Sequence, residues 1–385
     1  MKKILWLASW YPNKLQPFTG DFIERHARSA SLYNKITVLF LVKDHINIIA
    51  QKYLIEERKY NDHCSALILY YKPFSRIKAI ESLFSAIRYF IFLAELIRRY
   101  ILDNGKPDLL HVHVGWRAGL LALYCRWKYQ LRYVVSEHWS VFIPDAIPSY
   151  YEKHFIIRQL ISRIYKNAFR CSAVSNQLAT AISLAFKIDK PVIIPNVVDT
   201  SLFRPSGNKN EIFRFIHISE FNYQKNPGQI FEAVALLKQI AGRPFEVLVF
   251  APDPVKVNDL ALKYEVREII KFMNYVPQDM LALEINHSDA LILYSRFETF
   301  GCVVIEAMAS GIPVIVSDIA VMHEIVKENV TGIITPLNQP SLLAEKMLWM
   351  MNNKNQFSAL SLAAQAADAY SFEKIGRLFN EFYKA

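Results

Sequence analysis

Glu298 and Glu306 lie on either side of a glycine in Tyr294-Ser295-Arg296-Phe297-Glu298-Thr299-Phe300-Gly301-Cys302-Val303-Val304-Ile305-Glu306. The apolar run before them, Ala290–Tyr294, reads as a buried strand that delivers the chain into a short loop. A helix then begins near Gly301 and stops at Gly311, with Pro313 just beyond. A helix start of this kind offers unpaired N–H groups and partial positive charge to a phosphate, and glycine lets the backbone come close. A carboxylate beside a phosphate is repelled unless it accepts hydrogen bonds from hydroxyls, which sugar and ribose groups supply. From the residues alone, a capping Glu298 and a solvated Glu306 explain the pattern equally well. Elsewhere, Tyr133-Val134-Val135-Ser136-Glu137-His138-Trp139-Ser140 reads as a strand with a polar end. His138 would project from it into a cleft, although Glu137 can take that place, since neighbours on a strand face opposite ways. His111 and His113 share one face of a strand, a spacing that suits a metal. With no clear third ligand, the run Leu109–Val114 reads as a buried strand and no metal is expected.

These residues need elements to hold them. Short apolar runs alternate with longer amphipathic ones, the signature of βαβ units and parallel sheets. In the first half, Lys3–Ala8, Lys35–Leu41, Ala66–Tyr71, Leu109–Val114, Tyr133–Ser136, Ala168–Val174 and Pro191–Ile194 read as strands. Helices fit Asp21–Leu32, Ile77–Ile101, Trp116–Trp127 and Asn176–Ala185. In the second half, strands fit Phe213–Ile218, Phe245–Ala251, Ile269–Met273, Ala290–Tyr294, Val314–Ser317 and Gly332–Thr335. Helices at Pro227–Ala241, Val255–Tyr264, Gln278–Ile285, Gly301–Ser310 and Gln339–Asn352 separate them. The same order of events occurs twice, and the turn-rich stretch from Pro195 to Gly207 marks a hinge. Two doubly wound α/β domains facing each other follow, with ligands at the carboxyl ends of the strands.

Composition narrows the chemistry. The 385 residues exceed what one core usually serves, and 52% hydrophobic with 21% charged residues is globular. Only 11 are glycine, and none stand in a G-x-G spacing, so a dinucleotide fingerprint and a kinase glycine loop are both excluded. Cys64, Cys125, Cys171 and Cys302 are far apart, which argues against a zinc knuckle or a disulfide framework and for a reducing compartment. Met1 to Ala8 reads as a first strand rather than a secretory signal, and no stretch reaches the roughly 20 apolar residues of a membrane span. Up to Pro195 there are 28 Lys and Arg against 14 Asp and Glu; afterwards there are 17 against 21. No nucleic-acid motif accompanies the basic half, so no nucleic-acid partner is expected.

Glu298 to Glu306, with Ala307-Met308-Ala309-Ser310-Gly311-Ile312-Pro313-Val314-Ile315 after it, resembles the E-x7-E motif of the retaining GT-B glycosyltransferases of family four. The likeness covers nearly the whole chain. Ser9-Trp10-Tyr11-Pro12 through Thr19-Gly20-Asp21-Phe22 is similar to the family's N-terminal donor loop. Ile194-Pro195-Asn196-Val197-Val198-Asp199 resembles its interdomain segment, with Val197 where glycine is usual. Thr331-Gly332 and Tyr370-Ser371-Phe372 resemble its late landmarks.

The resemblance implies a GT-B fold: an N-terminal Rossmann-like acceptor-side domain (1–195), a C-terminal nucleotide-sugar domain (196–370) and a last helix (371–385) returning to the first. It implies transfer with retention from a UDP- or GDP-sugar to a saccharide or lipid-linked saccharide, in cell-surface polysaccharide or glycolipid synthesis. By it, Glu298 would contact donor-sugar hydroxyls, Glu306 the ribose, and Phe300, Gly301, Cys302 and Val303 the sugar and diphosphate. Lys225, beside Asn226, would grip the phosphates, where negative charge builds as the diphosphate departs. His138 would lie next to the donor sugar, Gly20 in the donor loop, and Tyr275 and Val276 beside the base. No cofactor and no metal are implied beyond the nucleotide sugar itself. Glu220, in His217-Ile218-Ser219-Glu220, departs from the family, which commonly has arginine there; Arg296 or another basic residue would have to substitute. Two other readings of the same motifs are a sugar-nucleotide epimerase and a non-catalytic sugar-nucleotide-binding subunit.

The segment Ser75–Tyr100 reads as one long basic amphipathic helix, with Arg76, Lys78, Arg88, Arg98 and Arg99 against Glu81 and Glu95. Such a helix either lies in the interface of an anionic membrane or packs inside the first domain. The first choice places the protein in the cytoplasm, peripherally at the inner face of the membrane.

Overall fold

The computed structural model describes residues 1–75, 78–207 and 211–384, the side chains of 78–80 and 82–83 aside. Eight strands form the first sheet: β1 (Lys3–Ala8), β2 (Lys35–Lys43), β3 (Tyr53–Asn61), β4 (Cys64–Tyr71), β5 (Leu109–His113), β6 (Tyr133–Glu137), β7 (Arg170–Ala173) and β8 (Val192–Ile193). Their order is β3-β4-β2-β1-β5-β6-β7-β8, parallel except for the β3–β4 pair. The helices of this lobe are α1 (Asp21–Ala30), α2 (Lys78–Asn104), α3 (Ala118–Tyr129), α4 (Phe155–Asn167) and α5 (Asn176–Phe186). Central strands are buried on both faces, as Ile4 to Ala8 of β1 show, because helices cover both sides of a parallel sheet.

The second lobe repeats the plan. Its strands are β9 (Phe213–Ile218), β10 (Phe245–Phe250), β11 (Ile270–Met273), β12 (Ala290–Leu293), β13 (Val314–Ser317) and β14 (Gly332–Thr335), all parallel in the order β11-β10-β9-β12-β13-β14. Its helices are α6 (Pro227–Ile240), α7 (Pro254–Lys263), α8 (Gln278–Asn286), α9 (Cys302–Ala309), α10 (Ala320–Ile325), α11 (Pro340–Asn353) and α12 (Ala359–Tyr370). The chain then returns: α13 (Phe372–Lys384) buries Ile375, Phe379, Phe382 and Tyr383 against the first lobe, where Ser29 Oγ donates to Phe372 O at 2.6 Å. These are the two facing doubly wound sheets of a GT-B architecture.

Among the described residues, β3, α4, α10 and α12 stand where the sequence analysis assigned no element. β3 is an edge strand, and its Glu56, Glu57, Arg58 and Lys59 hide the alternation behind charge, a usual protection of a sheet edge. α4 starts on His154, a weak capping residue, although Ile161, Ile164 and Tyr165 are buried at helical spacing. α12 is alanine-rich with little amphipathic contrast, and α10 has only six residues.

The long basic helix is α2, four residues longer at its C-terminus than Tyr100. Arg76 lies outside the described residues, as does the side chain of Lys78. Leu93, Leu96, Ile97 and Tyr100 pack into the first lobe, while Phe84, Ile87 and Ile91 face outward. Arg98 pairs with Glu95 and Arg99 with Asp103. No helix among the described residues is long and apolar enough to cross a membrane.

Candidate active site

The carboxyl ends of strands from both sheets open onto one cavity of about 780 Å³, reached by the loops after β1, β6, β9, β11 and β12. From the second lobe, β12 leads through Tyr294 into the loop 295–301, which Ser317 Oγ pins by donating to Ser295 O at 2.6 Å. Gly301 follows with φ 97°, a left-handed conformation that starts α9, and no side chain caps the helix. The first-turn amides of α9 are therefore free of a capping side chain where Cys302 and Val303 line the cavity.

The two glutamates flank this helix start and both are buried, yet each has a different counter-ion. Glu298 accepts from Lys225 Nζ at 2.5 Å and Gln224 Nε2 at 3.2 Å, both from the turn that leads into α6. Glu306 accepts from Arg25 Nη1 at 2.7 Å, and Arg25 belongs to α1 of the other lobe. Arg25 also holds Asp21 at 3.1 Å, and Gln278 Nε2 donates to the same Asp21 carboxylate at 3.0 Å. Burial pushes the Glu306 carboxyl above its ordinary range, while Arg25 pulls the other way. Burial disfavours the Arg25 charge, but Asp21 and Glu306 outweigh it and hold the guanidinium protonated.

From the first lobe, Gly20 starts α1 at φ 76°, and a Cβ there would lie 2.6 Å from the backbone of Trp10 and Tyr11. His138 follows β6 and reaches the cavity beside Phe22, whose ring centroid is 4.9 Å away. Burial pushes its imidazole well below the usual histidine range. Glu137 points away from the cavity. It accepts from the amides of Gly115 (3.0 Å), His138 (2.8 Å) and Trp139 (2.8 Å) and from the Tyr165 hydroxyl, and so shapes the loop that presents His138. Across the cleft, Tyr275 meets Phe18 edge-on at 6.1 Å, next to Val276.

The sequence-derived set thus lies together: Gly20, His138, Lys225, Tyr275, Val276, Glu298, Phe300, Gly301, Cys302, Val303 and Glu306 all border the cavity. Asn226 does not. It is buried at the start of α6, where its Nδ2 donates to Gln229 Oε1 at 3.0 Å. Arg296 is not positioned to replace the missing arginine either, because its guanidinium lies over the Tyr223 ring at 4.4 Å and donates to Tyr223 O. Glu220 borders the cavity as an exposed acid. Arg25 and Gln278 escaped the sequence reading as site residues, and Asp21 entered it only as part of the donor-loop motif. The available signal was an Asp and an Arg at i,i+4 directly after Gly20, with Arg25 among the buried residues of α1.

Two facing Rossmann-like lobes with an acid-flanked helix start form the cleft, and comparison with known proteins places the family. Residues 63–202 match the family model Glycosyltransferase Family 4, and residues 199–367 match Glycosyl transferases group 1. The chain belongs to this family of glycosyltransferases. It is 22% identical over 321 residues to the D-inositol 3-phosphate glycosyltransferase of Nocardia farcinica, covering 76% of this chain and 70% of that one. It is 29% identical over 164 residues to an Escherichia coli UDP-Gal:alpha-D-GlcNAc-diphosphoundecaprenol alpha-1,3-galactosyltransferase, covering 38% and 41%. The fold is also that of a sucrose-phosphate synthase from Thermosynechococcus elongatus (TM-score 0.80, 17% identity, 100% and 98% covered). It is shared with Anabaena HepE, solved with UDP-glucose (TM-score 0.71, 16% identity, 99% of each chain covered).

Proposed function

We propose that this glycosyltransferase moves a sugar, with retention of configuration, from a nucleoside diphosphate sugar to a hydroxyl of a saccharide or lipid-linked saccharide. The observation that carries the reading is the uncapped start of α9 between two buried glutamates, with Lys225 on one side and His138 opposite. The donor diphosphate would sit against the amides of Cys302 and Val303, drawing Lys225 from Glu298 and leaving that carboxylate for sugar hydroxyls. Glu306 would accept from the ribose hydroxyls and release Arg25 toward the phosphates. Arg25 then supplies the positive charge that Glu220 does not. His138, neutral and beside the sugar, has a ring nitrogen to offer a donor hydroxyl.

In the transfer, the bond from C1 to the phosphate oxygen breaks while the acceptor oxygen bonds to C1 on the same face. The acceptor proton passes to the departing phosphate, so no protein nucleophile is needed. The rate comes from positioning and from the cations and amides that meet the diphosphate. Recognition of the donor needs no group beyond these side chains and amides. The structure of HepE with UDP-glucose supports a uridine donor.

The relative whose name specifies a diphosphoundecaprenol substrate supports a lipid-linked acceptor. The outward Phe84, Ile87 and Ile91 of α2 support a peripheral place at the cytoplasmic face of a membrane, in cell-surface glycan synthesis. Incubation with a panel of UDP-, GDP- and ADP-sugars and saccharide acceptors, read by proton NMR of the product anomer, tests this. Retained configuration is the expected result. No binding, hydrolysis or transfer with any donor overturns it, binding without turnover favours the sugar-nucleotide-binding subunit, and solvent deuterium in the sugar without an acceptor favours an epimerase.

A further inference from the structure

Three histidines from three elements meet behind the cleft: His26 on α1, His113 at the end of β5 and His138 just past β6. All are more than nine-tenths buried, and each offers a ring nitrogen, these nitrogens lying within 4.8 Å of one another. His113 Nδ1 and His138 Nε2 are 3.2 Å apart. His26 Nε2 is 2.9 Å from Pro195 O. A carbonyl only accepts, so Nε2 carries the His26 proton. With its proton on Nε2, the imidazole keeps a lone pair on Nδ1. That Nδ1, together with His113 Nε2 and His138 Nδ1, has no hydrogen-bond partner. Buried imidazole nitrogens are normally satisfied, so the lone pair of His26 Nδ1 calls for a partner; of the facing His113 Nδ1 and His138 Nε2 one donates and one accepts, and an ion between them would take a lone pair from each as the donor ring's proton moves to its outer nitrogen.

We propose that His26, His113 and His138 form a three-histidine site for a divalent transition-metal ion of the zinc class. Imidazole is a preferred ligand of such ions, and three protein ligands with one open position is a common zinc arrangement. With Zn–N bonds of about 2.0–2.1 Å, tetrahedral ligand nitrogens stand about 3.3 Å apart, close to the existing His113–His138 separation. The Pro195 carbonyl does for His26 what outer partners do for metal-bound histidines: it takes the second N–H and fixes the ring orientation. Trp6 stacks on His113 at 4.0 Å and holds that ring in place. The Arg25 guanidinium beside His26 is balanced by Asp21 and Glu306. His138 is also the member that borders the cavity, so a bound ion holds the ring that the proposed transfer uses and competes with it. That consequence rests on the proposed function; metal binding itself does not.

The test is titration of the metal-stripped full-length chain with Co²⁺, followed by visible absorption, then Zn²⁺ displacement and zinc-edge X-ray absorption. His26→Gln and His113→Gln are titrated alongside, each checked for folding by near-ultraviolet circular dichroism. Expected are one saturable tetrahedral site, three imidazole nitrogens around zinc, and affinity at least about tenfold weaker in each folded variant. Absence of saturable binding overturns the proposal. So does undiminished affinity in a folded variant, which would place the ion on exposed groups such as His323 with Asp318. If both variants unfold, fewer than three imidazoles on the wild-type zinc overturns it. Zinc binding by a chain that transfers no sugar contradicts the proposed function and leaves the metal site standing.

Discussion

The second lobe balances the buried Glu298 with a cation of its own, Lys225, whereas its Glu306 depends on Arg25 from the first lobe. The first lobe, in turn, buries His26, His111, His113 and His138, all held neutral by desolvation; His217 is the corresponding case in the second. The difference teaches how the cleft is assembled. The pair at Glu298 is complete within one lobe, while the pair at Glu306 exists only when the lobes meet. The first lobe contributes through groups whose charge state depends on staying dry.

Acidification should separate the lobes most strongly. A histidine kept neutral in the fold protonates more readily when unfolded, so the unfolded state takes up more protons as pH falls below about 6.5. Each such group then removes up to about 1.4 kcal/mol of stability per pH unit. Burial raises the Glu24, Glu137 and Glu306 carboxyls, which act in the opposite direction: they add stability as pH falls through their raised values. In the second lobe His217 and Glu306 oppose each other. In the first, four imidazoles outnumber Glu24 and Glu137. Hydrogen exchange at pH 5.5 should therefore show the first-lobe strands losing protection before the second, and equal loss in both would remove the distinction.

Breaking the contact across the cleft comes next. Arg25→Ala leaves Glu306 buried without its counter-ion and should cost about 3–5 kcal/mol, read as a lower denaturation midpoint. The double variant Arg25→Ala with Glu306→Gln should recover part of that loss. An unchanged midpoint in Arg25→Ala would mean that the pair does not hold the lobes.

Lys225→Ala tests the pair within one lobe. Donor turnover should fall about 10²–10³-fold, because the departing diphosphate loses a cation aimed at it. Gly301→Ala is smaller: a side chain at φ 97° is strained, and its Cβ would meet Met322 Cε at 2.9 Å. A loss of about 1–3 kcal/mol in stability, with weaker donor binding, is expected from thermal melts with and without nucleotide.

How much of this was legible follows from separation along the chain. The β9–β14 strands were legible because each is a short apolar run set between helical patterns, and Glu298 and Glu306 because they lie on one loop and helix. Arg25 was not, since its partner Glu306 is 281 residues away and nothing local marks an arginine as buried. The histidines were half legible. Strand alternation correctly set His111 and His113 on one face, with ring centroids 4.1 Å apart. Only tertiary packing turns His111 toward Tyr383 and Ser136 and brings His26 to His113 instead. Asn226 sits next to Lys225 in sequence, but the turn into α6 aims it inward, which a linear motif does not express.

On the proposed function, a nucleoside diphosphate lies in the cleft between the start of α9 and Lys225. Calorimetric titration of the wild-type chain and of Lys225→Ala with UDP, GDP and ADP tests it most directly. One nucleotide should bind the wild type saturably and bind Lys225→Ala at least about tenfold more weakly, since a charge-assisted phosphate contact is lost. No binding of any of the three, or equal affinity in the two chains, would contradict the account.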